Sequence, residues 1–514
     1  MPDRVRRTAV IDLGSNSFRL VVFSDRPGAW WRRSDEIYEA VRIGAGMTAS
    51  GELQPEATDR ALHTIEHYAH FCRASGLTAS DIRVVATSAI REATNRAEFL
   101  ERAEQISGLQ IRVLSREDEA RYGYLAAINS TTLERGCVLD LGGGSLQLVD
   151  VSDRQAVAMD SWRLGAIRMT ERFLAAEDPP SKKALRDLRD HVARKLDSAQ
   201  WLMENGERLV GVGGTVRNLA AAAEFEARLP SWGVQGFVMT RAALDTLVDQ
   251  LAALPASERG RLPGIKPERG DVILAGAIVV QSAMEAGGFA TLEATEAGLR
   301  EGIFFEQHLT ATDPPLFPNV REASVRNLAA QYHSDPPHVS HVARLALQMF
   351  DALAAGGLHP GDHAERELVW AAAMLHDIGV TVDYDDHHKH SRYLILNAGL
   401  PGFTPREVAL IGQMARYHRR GSPRLGTLAP LMADGDEQVL ARGAALLRIA
   451  EQIERSRDQL VREAKVEIRV GKANAKAPVE LTLVADEDVS VARWAAAGQV
   501  DIFEAAFGRS LTIT

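Results

Sequence analysis

Two stretches join an aspartate to a glycine turn and a serine. AVIDLGSNSFRLVVF (Ala9–Phe23) and CVLDLGGGSLQLVDV (Cys137–Val151), aligned on Asp12 and Asp140, both read Asp-Leu-Gly. Each has a serine three residues past the glycine (Ser17, Ser145) and then an apolar run. Glycine tolerates positive φ and lets backbone N–H groups converge on an anion. Gly14, Ser15, Asn16 and Ser17 in one turn, and Gly142, Gly143, Gly144 and Ser145 in the other, are therefore candidate phosphate-binding residues. Asp12 and Asp140 cannot face phosphate oxygens directly, because like charges repel. Each is better suited to hold Mg2+ against the phosphate, directly or through water. A third turn, VGVGGTVRNLAA (Val210–Ala221), brings Gly213, Gly214 and Thr215 to a helix start, whose N–H groups and dipole favour an anion. Any one of these turns alone is as readily a β-hairpin. Three together, two of them matching residue by residue, point to phosphate. Neither GxxxxGK[ST] nor GxGxxG is present, which excludes a P-loop and a dinucleotide fingerprint.

Each turn needs apolar strands beside it and an α/β frame behind. After the first turn the chain reads as a helix from about Glu56 to Gly76, a strand IRVVATSA, a helix from about Asn95 to Ser107 and a strand LQIRVLS. Strands alternating with helices mean an α/β domain. From Gly136 the pattern restarts, with a long helical segment from Ser181 to Asn205 and the strand RLVGVGG. Two α/β domains from one duplicated unit are expected. TATDPPLFPN reads as a linker. Beyond it, Val325 to about Ser456 carries apolar residues at helical spacing. The tail returns to strand alternation at KVEIRVG and PVELTLVA and ends in a helix near DIFEAAFG. The expected domains are 1–125 and 126–308, both α/β, then a helical 309–460 and a small α+β segment, 461–514.

With 514 residues the chain exceeds one hydrophobic core. Hydrophobic residues at 46% and charged ones at 25% describe an ordinary globular protein. The apolar run Val272–Met284 is shorter than the ~20 residues of a spanning helix, so no membrane span is expected. The N-terminal MPDRVRRTAVIDLG has no apolar run of signal-peptide length. Two cysteines, Cys72 and Cys137, exclude a disulfide framework and suit a reducing cytoplasm, the expected location. A net charge of −10 argues against a nucleic-acid partner but leaves room for a local basic cleft that holds a polyanion. The arginine clusters RVRR, WWRR and RYHRRGSPR are each, on their own, solvated surface charge.

The motifs DLGSNSFRLVV, VATSAIREATN, EARYGYLAA, DLGGGS, LGAIRMTERF, VGGTVRNLA and GLREGI occur in order between Ala9 and about Phe305. Together they resemble the exopolyphosphatase/guanosine pentaphosphate phosphohydrolase (Ppx/GppA) family. More broadly, paired phosphate turns on duplicated α/β domains resemble the actin, sugar-kinase and heat-shock chaperone ATPase superfamily. The resemblance implies two actin/sugar-kinase-like (ribonuclease H-like) domains, an all-helical HD-like domain and a small α+β tail. It implies a Mg2+-dependent hydrolase acting on inorganic polyphosphate, or on guanosine pentaphosphate (pppGpp to ppGpp), and working as a homodimer.

By the same resemblance Glu119, in SREDEARYGY, is the general base that activates water. A carboxylate near a phosphate-filled, partly dry cleft has a raised pKa, which suits that role. Read without the family, Glu117-Asp118-Glu119 is a solvated helix start. Arg91 matches a position that binds phosphate oxygens, and a guanidinium fork fits them. Arg19 and Arg168 are weaker candidates. One departure concerns the metal set. The family usually has glutamate where this chain has Gln147, and an amide can orient water or donate to phosphate but cannot be an anionic ligand or a base. Glu119 and Asp140 would then carry more of the work.

In the helical part, His338, the pair His376-Asp377, and His418 form an HD-like constellation, ligands of the kind that surround one or two metal ions. The acid expected late in that pattern is Glu451, and further histidines crowd at His387, His388 and His390. The readings weighed for this domain are a second metal site, a polymer-binding surface and a dimer interface. For the whole chain, a sugar-kinase-like phosphotransferase and a non-catalytic polyphosphate or nucleotide sensor stand as alternatives.

Overall fold

The computed structural model describes residues 5–204, 208–469 and 477–514. Apolar runs dictate its first sheet. β1 (Arg6–Leu13) is buried on both faces from Thr8 to Val10, as a central strand must be. It pairs antiparallel with β2 (Phe18–Arg26), which pairs antiparallel with β3 (Trp30–Glu39). On its other side β1 runs parallel to β4 (Ile82–Ala86), and β4 to β5 (Ile111–Val113), giving the order β3-β2-β1-β4-β5.

The second sheet repeats this plan. β6 (Gly136–Leu141), β7 (Leu146–Ser152) and β8 (Gln155–Trp162) form the antiparallel meander. β9 (Leu209–Val212) lies parallel to β6. β11 (Thr291–Ala294) is parallel to β9, with β10 (Val238–Thr240) antiparallel beyond it. The order β8-β7-β6-β9-β11 matches the first sheet strand for strand. The register matches too: Asp12 faces Arg19 across the first hairpin, and Asp140 faces Gln147 across the second.

Helices cover these sheets: α1 (Pro55–Ala74), α2 (Arg96–Ser107), α3 (Arg116–Ile128), α4 (Lys182–Leu196), α5 (Gly214–Glu226), α6 (Ile273–Ala286) and α7 (Leu299–His308). The apolar run Val272–Met284 is α6, almost wholly buried in the core of the second sheet. No described helix is long and apolar enough to cross a membrane. The helix expected over 181–205 ends at Leu196. Ser198 Oγ donates to the Lys195 carbonyl at 2.9 Å there, a local bond that competes with helix continuation, and a short 3-10 turn, Gln200–Glu204, follows. Asn205 lies outside the described residues.

The expected boundary at 125/126 falls inside α3. This helix packs on β6, β7, β8 and β9, while α7 comes back to pack on α3, β1 and β2. Phe304 of α7 stacks on Phe23 of β2, with ring centroids 4.4 Å apart. The chain divides instead into Met1–Val320 and Arg321–Thr514.

Arg321–Thr514 is built on α8 (Pro336–Ala355), α9 (His363–Leu375), α10 (His387–Ala398), α11 (Pro405–Tyr417) and α12 (Asp436–Ile453). A sheet of β12 (Glu463–Ile468), β13 (Val479–Val484) and β14 (Leu511–Ile513) follows, with two short helices between its last strands.

Candidate active site

All three glycine turns of the first unit line one cavity of about 130 Å3. Gly14, Ser15, Asn16 and Ser17 come from the β1–β2 corner, Gly142 and Gly143 from the β6–β7 corner, and Gly213, Gly214 and Thr215 from the start of α5. The turn carbonyls are tied to neighbouring backbone. Gly142 and Gly143 accept from Ala166 (3.0 Å) and Ile167 (2.9 Å), and Ser15 and Asn16 accept from Gly44 (3.0 Å) and Arg42 (2.9 Å). With the carbonyls so engaged, the concave side is left to N–H groups, as in an anion nest. The two turns also touch. A Cβ on Gly143 would lie 3.2 Å from Ser15 Cβ, and one on Gly144 would collide with Ser88 Oγ, itself 2.9 Å from Ser15 Oγ. Bare backbone is therefore required where the jaws meet.

Glu119 reaches the same cavity because of how α3 begins. Ser115 caps the helix, accepting from Asp118 N (3.0 Å), while Asp118 accepts from Ser115 N (3.3 Å). That capping box uses Asp118, Glu117 stays in solvent, and Glu119 turns inward to 6% exposure. Its Oε1 accepts from Ser145 Oγ at 3.2 Å and its Oε2 from Arg91 Nη1 at 2.9 Å. Burial pushes its pKa above the ordinary carboxylate value, and Arg91 restrains the rise. Arg91 itself is absent from the cavity wall and donates also to the Leu114 carbonyl (3.0 Å). It grips Glu119 from behind, while its Nε and Nη2 are buried without a hydrogen-bond partner among the described residues.

Gln147 is likewise behind the turn. It is 1% exposed, donates to Ser145 Oγ (2.9 Å) and Ser161 Oγ (3.3 Å), and does not line the cavity. The relay Gln147→Ser145→Glu119 leaves the serine proton free for the carboxylate, which a glutamate at 147 would compete for. In this arrangement Gln147 orients Ser145 and does not reach the cavity. Gly144 and Ser145 also support the wall from outside it. Arg19 does line the cavity; it pairs with Glu36 (3.0 Å) and sits 4.9 Å from the Tyr38 ring centroid. Arg168 does not, and donates to Gly144 O (3.3 Å) and Glu92 (2.8 Å).

Three arginines join Arg19 that the sequence reading did not single out: Arg217, Arg269 and Arg300. Arg217 and Arg300 sit inside the motifs VGGTVRNLA and GLREGI, which was their signal; Arg269 had none. Burial, with Arg19 and Arg300 nearby, lowers Arg217 to about 10, so it stays cationic at neutral pH. Gly214 makes room for the Arg269 guanidinium, which a Cβ would strike.

The carboxylates suit a hard cation. Asp12 is held by Arg300 at 3.2 Å, while burial raises its pKa. Asp140 has no ion pair among the described residues, and Gly123 of α3 lets it come close, a Cβ there lying 2.9 Å from Asp140 Oδ2. Burial first, then the charge of Glu119, pushes Asp140 up to about 7. A divalent ion against Asp140 would relieve that repulsion, and carboxylate oxygens are the ligands Mg2+ takes.

In the second unit, the structure brings His338, His376, Asp377 and His418 together with Glu451, the acid expected there, and with His387 of the neighbouring histidines. Glu451 Oε2 lies 3.1 Å from His338 Nε2 and 3.0 Å from His376 Nε2. Asp377 Oδ1 lies 3.4 Å from His387 Nε2, which is 3.0 Å from His418 Nε2. Three of the rings turn Nδ1 to a backbone carbonyl: His376 to Ala373 (2.6 Å), His387 to Tyr384 (2.8 Å) and His418 to Ala415 (2.7 Å). Such bonds fix the tautomer with Nε2 facing inward.

The Ppx/GppA phosphatase family model matches residues 33–311, and the model of that family's domain III matches 320–490. The chain belongs to the Ppx/GppA phosphatase family. As a family member it is an enzyme, a hydrolase of phosphoric anhydrides. Solved structures agree. The Aquifex aeolicus Ppx/GppA family member is 29% identical over 60% of this chain and 99% of its own, with a TM-score of 0.52. An exopolyphosphatase-like protein is 27% identical over 60% and 100%, TM-score 0.53. An exopolyphosphatase from Cytophaga hutchinsonii, 20% identical over 59% and 98%, TM-score 0.53, shares the fold. In this Ppx/GppA protein the actin-like α/β frame carries the cleft, and a helical region follows.

Proposed function

We propose that this Ppx/GppA protein is a Mg2+-dependent exopolyphosphatase that removes terminal orthophosphate from inorganic polyphosphate. The observation that carries the reading is Glu119, buried, oriented by two donors and opening into a cavity walled by three phosphate turns and four arginines. The turns' N–H groups bind the terminal phosphate, and Arg19, Arg217, Arg269 and Arg300 neutralise its charge and that of the adjoining group. Glu119 takes a proton from water as the water oxygen bonds to terminal phosphorus. The bridging P–O bond breaks, and its electron pair leaves with the shortened chain. Mg2+, held by Asp140 with Asp12, would supply further charge neutralisation on the phosphate oxygens. A homodimer in the cytoplasm completes the reading.

The test is orthophosphate release with Mg2+ from long-chain polyphosphate and, in parallel, from guanosine pentaphosphate. Turnover of polyphosphate at least about tenfold more efficient supports the proposal; the reverse ratio moves the protein to the pppGpp branch. Binding of either without turnover makes it a sensor.

The buried His/Asp/Glu cluster favours a second reading for the C-terminal unit. We propose that His338, His376, Asp377, His387 and His418, with Glu451, hold a transition-metal ion, since imidazole ligands suit Zn, Fe or Ni better than Mg. Metal analysis of the purified protein should find about one or more equivalents, lost in His376→Ala. A metal content equal in both proteins rules the site out.

A further inference from the structure

A second cavity in Met1–Val320, of about 540 Å3, shares no lining residue with the catalytic cleft. Arg116, Arg163, Arg168, Arg172, Lys195 and Trp162 line it, and no lining residue is acidic. One largely buried carboxylate, Glu92, serves three of these cations from behind. It lies 2.8 Å from Arg168, 3.1 Å from Arg163 and 3.8 Å from Arg116. A single negative charge cannot balance five positive ones, and a concave basic surface concentrates anions. His191, 9% exposed in the same wall, registers that field: burial, then Arg172, Lys195 and Arg194, lower its pKa. Trp162 spends its indole N–H on Ser198 Oγ (3.1 Å), so it offers a ligand apolar surface only.

The cavity is wired to the cleft. Arg168, which lines it, donates to the carbonyl of Gly144 in the second phosphate turn (3.3 Å). Ser161, also in its wall, accepts from Gln147, the residue that orients Ser145 against Glu119. Arg116 is the first residue of α3, one turn before Glu119.

We propose that this cavity is a second anion site for a run of phosphate groups, and that its occupancy is transmitted to the catalytic turn through Arg168. Guanidinium forks match phosphate oxygens two at a time. An arriving phosphate competes with Glu92 for Arg163 and Arg168, and so changes the hold of Arg168 on Gly144. The phosphates come either from the far part of the chain being degraded or from a separate phosphate-rich molecule. Binding stands on the cavity alone; transmission rests on the cleft being the hydrolytic centre.

The test compares the full-length wild type with Arg163→Ala/Arg172→Ala/Lys195→Ala, whose three side chains are exposed. The probe is trimetaphosphate, a ring with no terminal phosphate to release. Calorimetry should show one more bound equivalent in the wild type than in the variant; identical isotherms overturn the site. Hydrolysis then separates the sources. If the far chain occupies the cavity, the variant raises KM for long-chain polyphosphate about tenfold or more, the effect of losing charge-assisted hydrogen bonds, and leaves tripolyphosphate unchanged. If a separate molecule does, trimetaphosphate changes tripolyphosphate turnover severalfold in the wild type and not in the variant. Kinetics unmoved in both arms overturn transmission. A wild type that hydrolyses nothing sinks the proposed function, while calorimetry still decides the site.

Discussion

Glu119 divides its two oxygens between Arg91 and Ser145, and this arrangement makes separable demands on pH. The base works only when ionised, so turnover falls as pH drops through its pKa, which burial has raised. Arg91 holds that pKa down. Arg91→Met should therefore move the acid limb of the kcat profile to higher pH and leave KM within about twofold, since no cleft contact is lost. A raised KM on an unmoved limb would return Arg91 to the phosphate. Asp140 offers a second check. Its folded pKa, about 7, lies above the ordinary 3.8, so the fold favours the acid form. Without metal, its contribution to stability is complete below about pH 4, falls as pH rises towards 7 and is level above. Asp140→Asn cannot titrate, and its denaturation midpoint should lose less over that interval than the wild type's. Mg2+ should stabilise the wild type more at pH 8 than at pH 6. The turns and both aspartates were legible as residue types at fixed spacing. Arg269 was not, because it reaches the cavity from a short 3-10 turn, Pro267–Arg269, far along the chain, and no local pattern records that approach. Nor could spacing reveal that Gln147 points away from the cavity while Arg19, its equivalent in the other hairpin, lines it.

The elements that carry the site come into close contact because glycines let them approach. Gly302 of α7 rests on the backbone of Tyr122 in α3, where a Cβ would strike the Tyr122 carbonyl. Backbone cannot move aside as a side-chain tip can. Gly302→Ala should lower stability by about 1–3 kcal/mol, the usual cost of overpacking, and depress kcat by loosening α3 and with it Glu119. Chemical denaturation and steady-state kinetics check both effects; full stability with full activity would show that α3 is positioned by something else. At this scale the duplicated strand-turn-strand units and the third turn were readable, since apolar period and glycine position are local signals. The length of α4 and the passage of α3 across the expected domain boundary were not. The first turns on one serine hydroxyl reaching back to a carbonyl, and the second on where the chain finds packing partners.

The molecule as a whole carries two donor sets of different chemistry, each within its own compact unit. Carboxylates and arginines in the first suit a hard cation and phosphate, while imidazoles crowd the second. Removing the second set should leave the first reaction standing: His376→Ala should keep polyphosphate turnover within about threefold of wild type, because no residue of that cluster enters the cleft. Collapse of turnover in that variant would place the chemistry at the histidines. The measurement that bears most directly on the account is kcat for orthophosphate release from polyphosphate, with Mg2+, in Glu119→Gln. An amide keeps the shape but cannot take a proton, so kcat should fall by about 10²- to 10⁴-fold with KM little changed. A variant that turns over at the wild-type rate would contradict the assignment of Glu119 as the base.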